Sequence, residues 1–229
     1  NKQLFEKDLN YLFEYFNSDK GEKYKNQYEK PLKRNNKKIK GHGYHKFYEN
    51  HLSKIKVSNL EMLEIGSFRG NASAAFYFYL PNCNITSVDL YPDLFLYKSD
   101  RIKNYYLNNS IEEEIQNKIL MKNKKYDFII EDAGHYYKDQ IISLFKIFPK
   151  LKKNGIYVVE ELDFPDTRLD MNLNNEHPTL REILISIKSK KNFFSPLISE
   201  SEKEFFLLNY DTIEIYKGNF NDICFIKKK

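Results

Sequence analysis

Short apolar segments alternate with longer segments of helical periodicity from residue 60 to residue 190. The strand-like segments are 60–65, 84–90, 103–109, 126–132 and 155–162, and the helical segments are 71–80, 110–122, 137–151 and 179–190. Strands that alternate with helices of about 10 to 15 residues are typical of a parallel sheet covered by helices on both faces. The sequence therefore predicts a doubly wound α/β fold. Ser110 is the predicted N-cap of its helix, and two further strands are predicted in the tail, at 205–209 and 222–228.

Residues 1–57 precede this alternation and have a different pattern. Apolar residues at helical spacing predict helices over 4–16 and 44–55. The intervening segment, 17–43, is polar and rich in Lys, Asn, Gly and Tyr, which predicts a long mobile flap that closes over a bound ligand. We therefore expect an N-terminal segment of helices and flap over the ligand site, followed by one sheet domain, 58–229.

Composition and charge limit the class of protein. With 41% hydrophobic residues in 229, the chain can bury one sizeable core. Its net charge of +5 comes from lysine runs scattered along the chain, which favours solvated surface over a single nucleic-acid-binding face. Cys83 and Cys224 form neither a metal-ligand pair nor a disulfide framework, so a reducing cytoplasm is expected. No apolar run reaches the ~20 residues of a membrane span, so no membrane partner is expected.

Glycines and carboxylates stand at the predicted ends of the first two strands. The first strand runs into Glu64, Gly66 and Gly70, and a helix opens near Asn71. Glycines at such a turn let the backbone approach a ligand, and the start of a helix offers free N–H groups. Asp89 ends the second strand, 19 residues after Gly70, where a carboxylate can accept hydrogen bonds from a ribose diol. The alternatives are a tight turn without a ligand and a turn aspartate before a proline.

Charged residues also end the next two apolar strands. The segment "YDFIIEDAGH" sets Glu131, Asp132 and His135 after a buried run, and "GIYVVEEL" contains Glu160 and Glu161. Ligands bind outside the carboxyl ends of the strands of an open α/β sheet, and charge is costly to bury without a purpose. These residues are therefore candidates for chemistry. The structural alternatives are a solvated strand end for the acidic pair and a helix-entry role for the histidine.

These motifs resemble class I S-adenosylmethionine-dependent methyltransferases. The turn Glu64-x-Gly66-x-x-x-Gly70 matches the first motif of that family, Asp89 matches its ribose-binding acid, and 108–110 lies where its adenine loop is usual. A narrower resemblance is to metal-dependent sugar O-methyltransferases of the macrolide-tailoring type, related to mycinamicin and rhamnosyl methyltransferases. It covers most of residues 17 to 163, through "SDKG" (18–21), "HGYHKFYE" (42–49), "IIEDAGH" (129–135), Gln140 and "LKKNGIYVVEEL" (151–162).

The chain departs from that narrower family in two places. It has Glu131-Asp132-Ala133-Gly134-His135 where the family more often has Asp-Asp-Gly-Ser-His, and Glu160-Glu161 where the family more often has Glu-Asp. A glutamate in place of an aspartate adds one methylene group, which changes the carboxylate oxygen that reaches a metal.

The resemblance implies a Rossmann-like fold, S-adenosylmethionine as methyl donor and a sugar or glycan hydroxyl as acceptor. It also implies a divalent cation, Mg²⁺ or else Mn²⁺ or Ca²⁺, that activates this hydroxyl. His135 and Asp132 are the implied catalytic residues, with His135 as the base, and the implied metal ligands are Asp132, Glu160 and Glu161. The implied donor-binding residues are Lys20, Tyr44, Glu64, Gly66, Ser67, Gly70, Asp89, Asn109 and Ser110. His42 and Tyr48 belong to the same donor-side segment as Tyr44.

Several alternatives stay open from the sequence. The same fold and donor could serve a phosphoramidate, a small phenol or RNA, and a non-catalytic α/β binding module would not need the charged strand ends. Carbohydrate or polysaccharide biosynthesis is the expected setting, and a homo-oligomer is open. The segment 163–168 could line the acceptor site, and no role is assigned to 191–229.

Overall fold

The computed structural model describes residues 2–25 and 38–229, so the middle of the predicted flap lies outside the described residues. The helices are α1 Leu9–Phe16, α2 His45–Leu52, α3 Asn71–Tyr79, α4 Glu112–Ile115, α5 Tyr137–Ile147, α6 Phe164–Thr167, α7 Leu180–Lys188 and α8 Glu200–Asn209. The strands are β1 Lys23–Lys25, β2 Lys38–Lys40, β3 Leu60–Ile65, β4 Cys83–Asp89, β5 Ile102–Tyr106, β6 Tyr126–Glu131, β7 Leu151–Val159, β8 Tyr210–Lys217 and β9 Asp222–Lys228. A π-helical turn, Gln116–Leu120, continues α4.

Seven strands form one mixed sheet in the order β5-β4-β3-β6-β7-β9-β8. Neighbouring strands from β5 to β7 are parallel, whereas β9 runs antiparallel to both β7 and β8. The prediction of a doubly wound α/β fold is confirmed, but the expectation of a wholly parallel sheet is wrong at β8 and β9. Only residues 218–221 join these two strands, too few for a crossover connection, so they pair as a hairpin. The strand order reverses between β3 and β6, which is where such sheets bind ligands.

The predicted strand at 205–209 is wrong, because these residues form the end of α8. A capping box starts this helix: the Ser199 side chain accepts from the backbone of Glu202, and the Glu202 side chain accepts from the backbone of Ser199. The strand begins only at Tyr210. The Ser-x-x-Glu signal at the helix start therefore outweighs the apolar run that suggested a strand.

The predicted N-cap at Ser110 is also wrong. Helix α4 begins at Glu112 with Ile111 as its N-cap residue. The Ser110 hydroxyl instead donates a hydrogen bond to Asp139 Oδ2 at 2.5 Å. A contact with α5, 29 residues away, has taken the hydroxyl that local sequence assigned to the helix start.

Apolar side chains fill both faces of the sheet. Helices α5 and α7 contribute to the core on one face, and α1, α2 and α3 to the core on the other. Phe13 of α1 and Tyr48 of α2 pack against Phe76 of α3, with ring centroids 5.4 and 5.2 Å away. The N-terminal helices thus share a core with the sheet, and a domain division at residue 57 stays a prediction. Among the described ranges, no helix combines the length and apolar character needed to cross a membrane.

The two described ends of the flap are paired with each other. Strands β1 and β2 are antiparallel, with Lys23 opposite Lys40 and Lys25 opposite Lys38. Strands of three residues leave no periodic signal, so the sequence did not predict them. Closure of the flap over a ligand stays a prediction.

Strand β6 ends in a buried carboxylate, that of Glu131. Glu131 is shielded from solvent, and its Oε2 has no hydrogen-bond partner among the described residues. The hydroxyl of Tyr157 on β7 is buried nearby and likewise lacks a partner within the described part of the chain. Burial is the main reason that the pKa of Glu131 is raised to about 8. The folded protein therefore favours the protonated carboxyl group at neutral pH.

Replacing Glu131 with Gln is expected to remove a pH-dependent loss of stability. In the unfolded chain a glutamate ionises near pH 4.3, roughly, whereas in the folded chain Glu131 keeps its proton until about pH 8. Between these pH values the folded state holds the extra proton, so the free energy of unfolding falls as pH rises. Thermal unfolding at pH 5 and pH 8 should show a smaller loss for Glu131→Gln than for wild type. The exposed acid Glu113 supplies the control, Glu113→Gln, which should lose as much as wild type; an equal loss in Glu131→Gln would contradict the buried-acid reading.

Candidate active site

A cavity of about 710 Å³ opens at the carboxyl ends of β3, β4, β6 and β7, a size that suits a cofactor together with part of a small substrate. The predicted site residues in its wall are Lys20, Glu64, Gly66, Ser67, Asp89, Asn109, Ser110, Asp132, His135 and Glu161. Gly70, Tyr44 and Glu160 are the predicted site residues that lie behind this wall. The structure thus brings together, in one cavity, residues that are up to 141 positions apart in sequence.

The glycine turn after β3 is required by close backbone packing. Gly66 has φ +87°, and a Cβ atom there would lie 2.0 Å from the carbonyl oxygen of Asp132. Gly70, at φ +76°, caps α3, and a Cβ atom there would meet the Phe95 ring at 2.5 Å. Both positions need glycine for the fold itself, and Gly66 also lets the turn 66–70 lie directly beside the end of β6.

Asp89 is held at the end of β4 by backbone donors. Its Oδ2 accepts from the Phe68 amide and its Oδ1 from the Tyr91 amide, both at 2.7 Å. Each oxygen keeps a second lone pair, so the carboxylate is fixed in place and can still accept hydrogen bonds from a diol. Deeper in the turn, Glu64 is buried and accepts from Ser73 Oγ. Burial is the main cause that raises the pKa of Glu64 to about 7.

The end of the cavity at Asn109 and Ser110 is polar and hydrogen-bonded to α5. Asn109 Nδ2 donates to Ser143 Oγ at 3.3 Å, and Ser110 Oγ donates to Asp139. Asp139 also lines the cavity, and burial raises its pKa. Sequence reasoning missed Asp139, because an acid in the first turn of an amphipathic helix is usually a solvated residue that favours the helix dipole.

Asp132, His135 and Glu161 form a compact group at the other end of the cavity. His135 Nε2 lies 3.7 Å from Asp132 Oδ1 and 3.6 Å from Glu161 Oε2. Each of the three residues offers one atom that could ligate a metal, and these atoms lie within 4.8 Å of one another. His135 and Glu161 have φ values of 55° and 44°. Residues other than glycine rarely adopt this left-handed backbone conformation, and such backbone strain concentrates at functional sites. Here it accompanies the convergence of both side chains on Asp132.

Glu160 is placed differently from its neighbour Glu161. Lys20 Nζ donates to Glu160 Oε2 at 2.7 Å, and the hydroxyl of Tyr48 donates to Glu160 Oε1. The same ammonium also donates to Asp132 Oδ2. Lys20, which the resemblance assigns to donor binding, thus contacts the carboxylates while still forming part of the cavity wall. Glu160, which the resemblance assigns to the metal, has a donor on each of its oxygens.

Burial dominates the electrostatics of this cluster. It raises the pKa values of Asp132, Glu160 and Glu161, an effect that the Lys20 ammonium opposes. Burial also disfavours the Lys20 ammonium, but the charges of Asp132 and Glu160 outweigh it and hold the Lys20 pKa well above its usual value. The pKa of His135 is lowered to about 3, first by burial and then by the positive charge of Lys20. His135 is therefore a neutral imidazole at physiological pH.

A second histidine and an aromatic wall complete this end of the cavity. His42 Nε2 lies 3.1 Å from Glu161 Oε1, and the Tyr44 ring stacks on the His42 ring with centroids 5.1 Å apart. Phe164 packs edge-on against His135 at 5.2 Å, and the Arg168 guanidinium lies 4.6 Å from the centre of the Phe164 ring. The expectation that 163–168 could line the site agrees with the position of Phe164 and Arg168 in the cavity wall. The contact of His42 with Glu161 had no sequence signal beyond its place in "HGYHKFYE".

The possible ligand atoms of Asp132, His135 and Glu161 fit a hard divalent cation. Glu161 Oε2 and His135 Nδ1 are buried polar atoms with no hydrogen-bond partner among residues 2–25 and 38–229. Carboxylate oxygens with an imidazole nitrogen suit Mg²⁺ or Mn²⁺, and neither cysteine lies in the cavity wall. Asp132, Glu161 and His135 are therefore the residues that could hold a metal.

No protein-family profile matches the sequence. A curated relative from Streptomyces olivaceus, named 8-demethyl-8-(2-methoxy-alpha-L-rhamnosyl)-tetracenomycin-C 3'-O-methyltransferase, is 26% identical over 129 residues. That alignment covers 53% of this chain and 32% of the relative. The chain thus spans about a third of the length of the curated relative that it matches.

Solved structures of the MycE methyltransferase from the mycinamycin biosynthetic pathway share the fold. One, in complex with Mg and SAH, has a TM-score of 0.70 and 17% identity, and covers 97% of this chain and 55% of the MycE chain. Another, with Mg, SAH and mycinamycin VI, has a TM-score of 0.70 and 16% identity over 97% of this chain and 54% of the other. The chain has the Rossmann-like fold of these MycE structures, and its resemblance to sugar O-methyltransferases of the macrolide-tailoring type is confirmed.

Proposed function

We propose that this chain is an S-adenosylmethionine-dependent O-methyltransferase that acts on a hydroxyl of a sugar or glycan intermediate. The observation that carries the proposal is the division of labour within one cavity. Asp89 and the glycine turn lie on one side, and Asp132, His135 and Glu161 lie on the other. A diol-binding acid beside a base and carboxylates is what methyl transfer to an unactivated hydroxyl requires.

The relatives support the reaction class and the cofactors. The MycE structures hold Mg and SAH, one of them together with mycinamycin VI, and the curated relative is named as a methyltransferase of a rhamnosyl group. Because this chain spans only about half of MycE and a third of the curated relative, its activity, cofactors and acceptor are proposals. The polar, aromatic wall around Phe164 and Arg168 supports a hydroxyl-bearing acceptor with an apolar face.

The side of the cavity that contains Asp89 and the turn 66–70, here called the donor side, would bind the ribose and the adenine of S-adenosylmethionine. Asp89 accepts from the ribose hydroxyls with the lone pairs that its backbone donors leave free. Asn109, Ser110 and Asp139 offer amide, hydroxyl and carboxyl groups at the end where the adenine lies in the resembling family. Gly66 keeps the turn 66–70 next to Asp132, so the methyl group of a bound S-adenosylmethionine would lie close to the residues that act on the acceptor.

The acceptor side would position and deprotonate the hydroxyl. A bound divalent cation lowers the pKa of a hydroxyl that coordinates it. Asp132 and Glu161 would supply the carboxylates for this cation, and His42 lies against the other oxygen of Glu161. The neutral His135 ring presents Nε2 toward both carboxylates and accepts the hydroxyl proton there. The oxygen then forms its bond to the methyl carbon as the sulfur–carbon bond breaks, and positioning supplies most of the rate.

Asp89→Ala is expected to weaken binding of S-adenosylhomocysteine by roughly tenfold to hundredfold, about 1–3 kcal/mol, because the ribose hydroxyls lose their acceptor. Calorimetry on the full chain measures this directly. Asp93→Ala is the matched control, since Asp93 is an exposed acid of the same segment outside the cavity wall. Unchanged affinity in Asp89→Ala would remove Asp89 from the donor site.

Asp132→Asn and Glu161→Gln are each expected to lower the affinity for Mn²⁺ at least about tenfold, because each removes a charged ligand. Activity should also be lost on chelation and return with Mg²⁺. Mn²⁺ titration with detection of the free ion gives the affinity without an acceptor. Glu113→Gln should bind Mn²⁺ as wild type does; full activity of chelator-treated protein would mean that the cluster binds the acceptor rather than a metal.

His135→Gln is expected to lower methyl transfer by about 10²–10⁴-fold while S-adenosylhomocysteine binding is retained, since the variant loses only a proton acceptor. A panel of free and glycosidically linked sugars would first identify an acceptor for wild type. Single-turnover transfer across pH then compares His135→Gln with His177→Gln, a change at an exposed histidine. A wild-type rate with the same pH dependence in His135→Gln would leave this residue a structural role.

A further inference from the structure

Lys20 is a cation whose position is fixed by its own backbone. Its carbonyl oxygen accepts from the amides of Tyr44 and His45 at 2.8 and 3.1 Å, and its amide donates to Ser18 Oγ at 3.4 Å. The side chain is almost fully buried, with 1% of the residue exposed. The backbone of Lys20 is therefore anchored to the start of α2, and its buried side chain holds the ammonium against the carboxylates.

Glu160 is saturated by donors from the N-terminal part of the chain. Lys20 Nζ donates to one carboxylate oxygen at 2.7 Å, and the Tyr48 hydroxyl donates to the other. Glu160 is 1% exposed and lies behind the cavity wall. Both of its oxygens are thus committed within the protein.

Each of the neighbouring carboxylates keeps an oxygen that no lysine or arginine of residues 2–25 and 38–229 contacts. Lys20 contacts Asp132 through Oδ2, which leaves Oδ1 near His135 Nε2. Glu161 Oε2 is buried and has no hydrogen-bond partner among the described residues. The compact group of possible metal ligands contains Asp132, His135 and Glu161, without Glu160.

We propose that Lys20 is a positioning residue that keeps Glu160 from binding the metal, so that a divalent cation is held by the carboxylates of Asp132 and Glu161, beside the base His135. This inference rests on the metal site of the proposed function and adds that Lys20 determines which carboxylates bind the cation and how tightly. The ammonium also repels the cation, because it is a fixed like charge shared with the ligand Asp132. Such a charge a few ångströms away in a partly buried site weakens cation binding by roughly tenfold or more.

The consequence for the reaction is a weakly held cation with few protein ligands. Hard divalent cations take about six oxygen ligands, so fewer protein carboxylates leave more positions for an acceptor hydroxyl. Lys20 would thus favour capture of the acceptor at the expense of metal affinity. A residue that served only to hold the fold together would not change metal affinity in this direction.

The test is a titration of Mn²⁺ alone into the full chain, with the free ion followed by electron paramagnetic resonance. Lys20→Met removes the charge with little change of shape, and we expect it to bind Mn²⁺ about tenfold more tightly than wild type. The double variant Lys20→Met/Glu160→Gln removes the charge pair together, and its affinity should stay within about threefold of wild type because no ligand is lost. Glu161→Gln, which loses a ligand, should bind at least about tenfold more weakly.

Two results would overturn the inference. One is an affinity for Mn²⁺ in Lys20→Met that equals or falls below that of wild type. The other is a loss in the double variant as large as that in Glu161→Gln, which would make Glu160 a ligand. If Lys20→Met does not fold, the double variant, which removes the buried Lys20–Glu160 charge pair and leaves Asp132 without the ammonium, decides between these outcomes. S-adenosylhomocysteine binding, measured on the same samples, separates a failure of this inference from a failure of the proposed function. If S-adenosylhomocysteine binds but the variants do not rank in Mn²⁺ affinity as expected, only this inference is wrong. If wild type binds neither S-adenosylhomocysteine nor Mn²⁺, the proposed function is wrong as well.

Discussion

The buried carboxylates at the ends of β6 and β7 are the constraint on which the rest of the structure depends. Asp132, Glu160 and Glu161 lie within a few ångströms of one another and largely out of water, where like charges cannot persist unless a cation or donors compensate them. Lys20 supplies that cation and Tyr48 a donor, both from residues that precede the first strand of the main sheet. Lys20 and Tyr48 thus connect the N-terminal segment to the sheet, and the apolar residues of this segment complete one face of the core.

Backbone packing then links the two halves of the cavity. Because Gly66 has no Cβ, the turn after β3 can touch the carbonyl of Asp132, and the donor side and the acidic side become neighbours. The left-handed backbone at His135 and Glu161 accompanies the convergence of their side chains on Asp132. Strain of this kind persists only where surrounding structure determines it, and here the parallel pairing of β6 with β3 and β7 provides that support.

Much of the fold and of the site could be predicted, because buried parallel strands leave a strong apolar signal and their carboxyl ends meet at one edge. For that reason Asp89, Asp132, His135 and Glu161, each at or just after the end of a predicted strand, were expected together and do line one cavity. The failures lie where local signals compete. A capping box at Ser199 made a helix of an apolar run that looked like a strand, and a tertiary contact claimed the Ser110 hydroxyl.

The sequence by itself determined the α/β architecture and the residues that stand at the strand ends, because periodicity and strand termination are local properties. Only the tertiary structure decided that the adjacent acids Glu160 and Glu161 have different partners. Side chains of successive residues at a strand end leave on different sides of the backbone, so each acid meets whatever the chain places on its side. For Glu160 those partners are Lys20 and Tyr48, 140 and 112 residues away, and for Glu161 they are His42 and His135. Contacts at such sequence separations carry no local signal, and therefore only the folded structure shows that Glu160 has a donor on both oxygens while Glu161 Oε2 has no hydrogen-bond partner among the described residues.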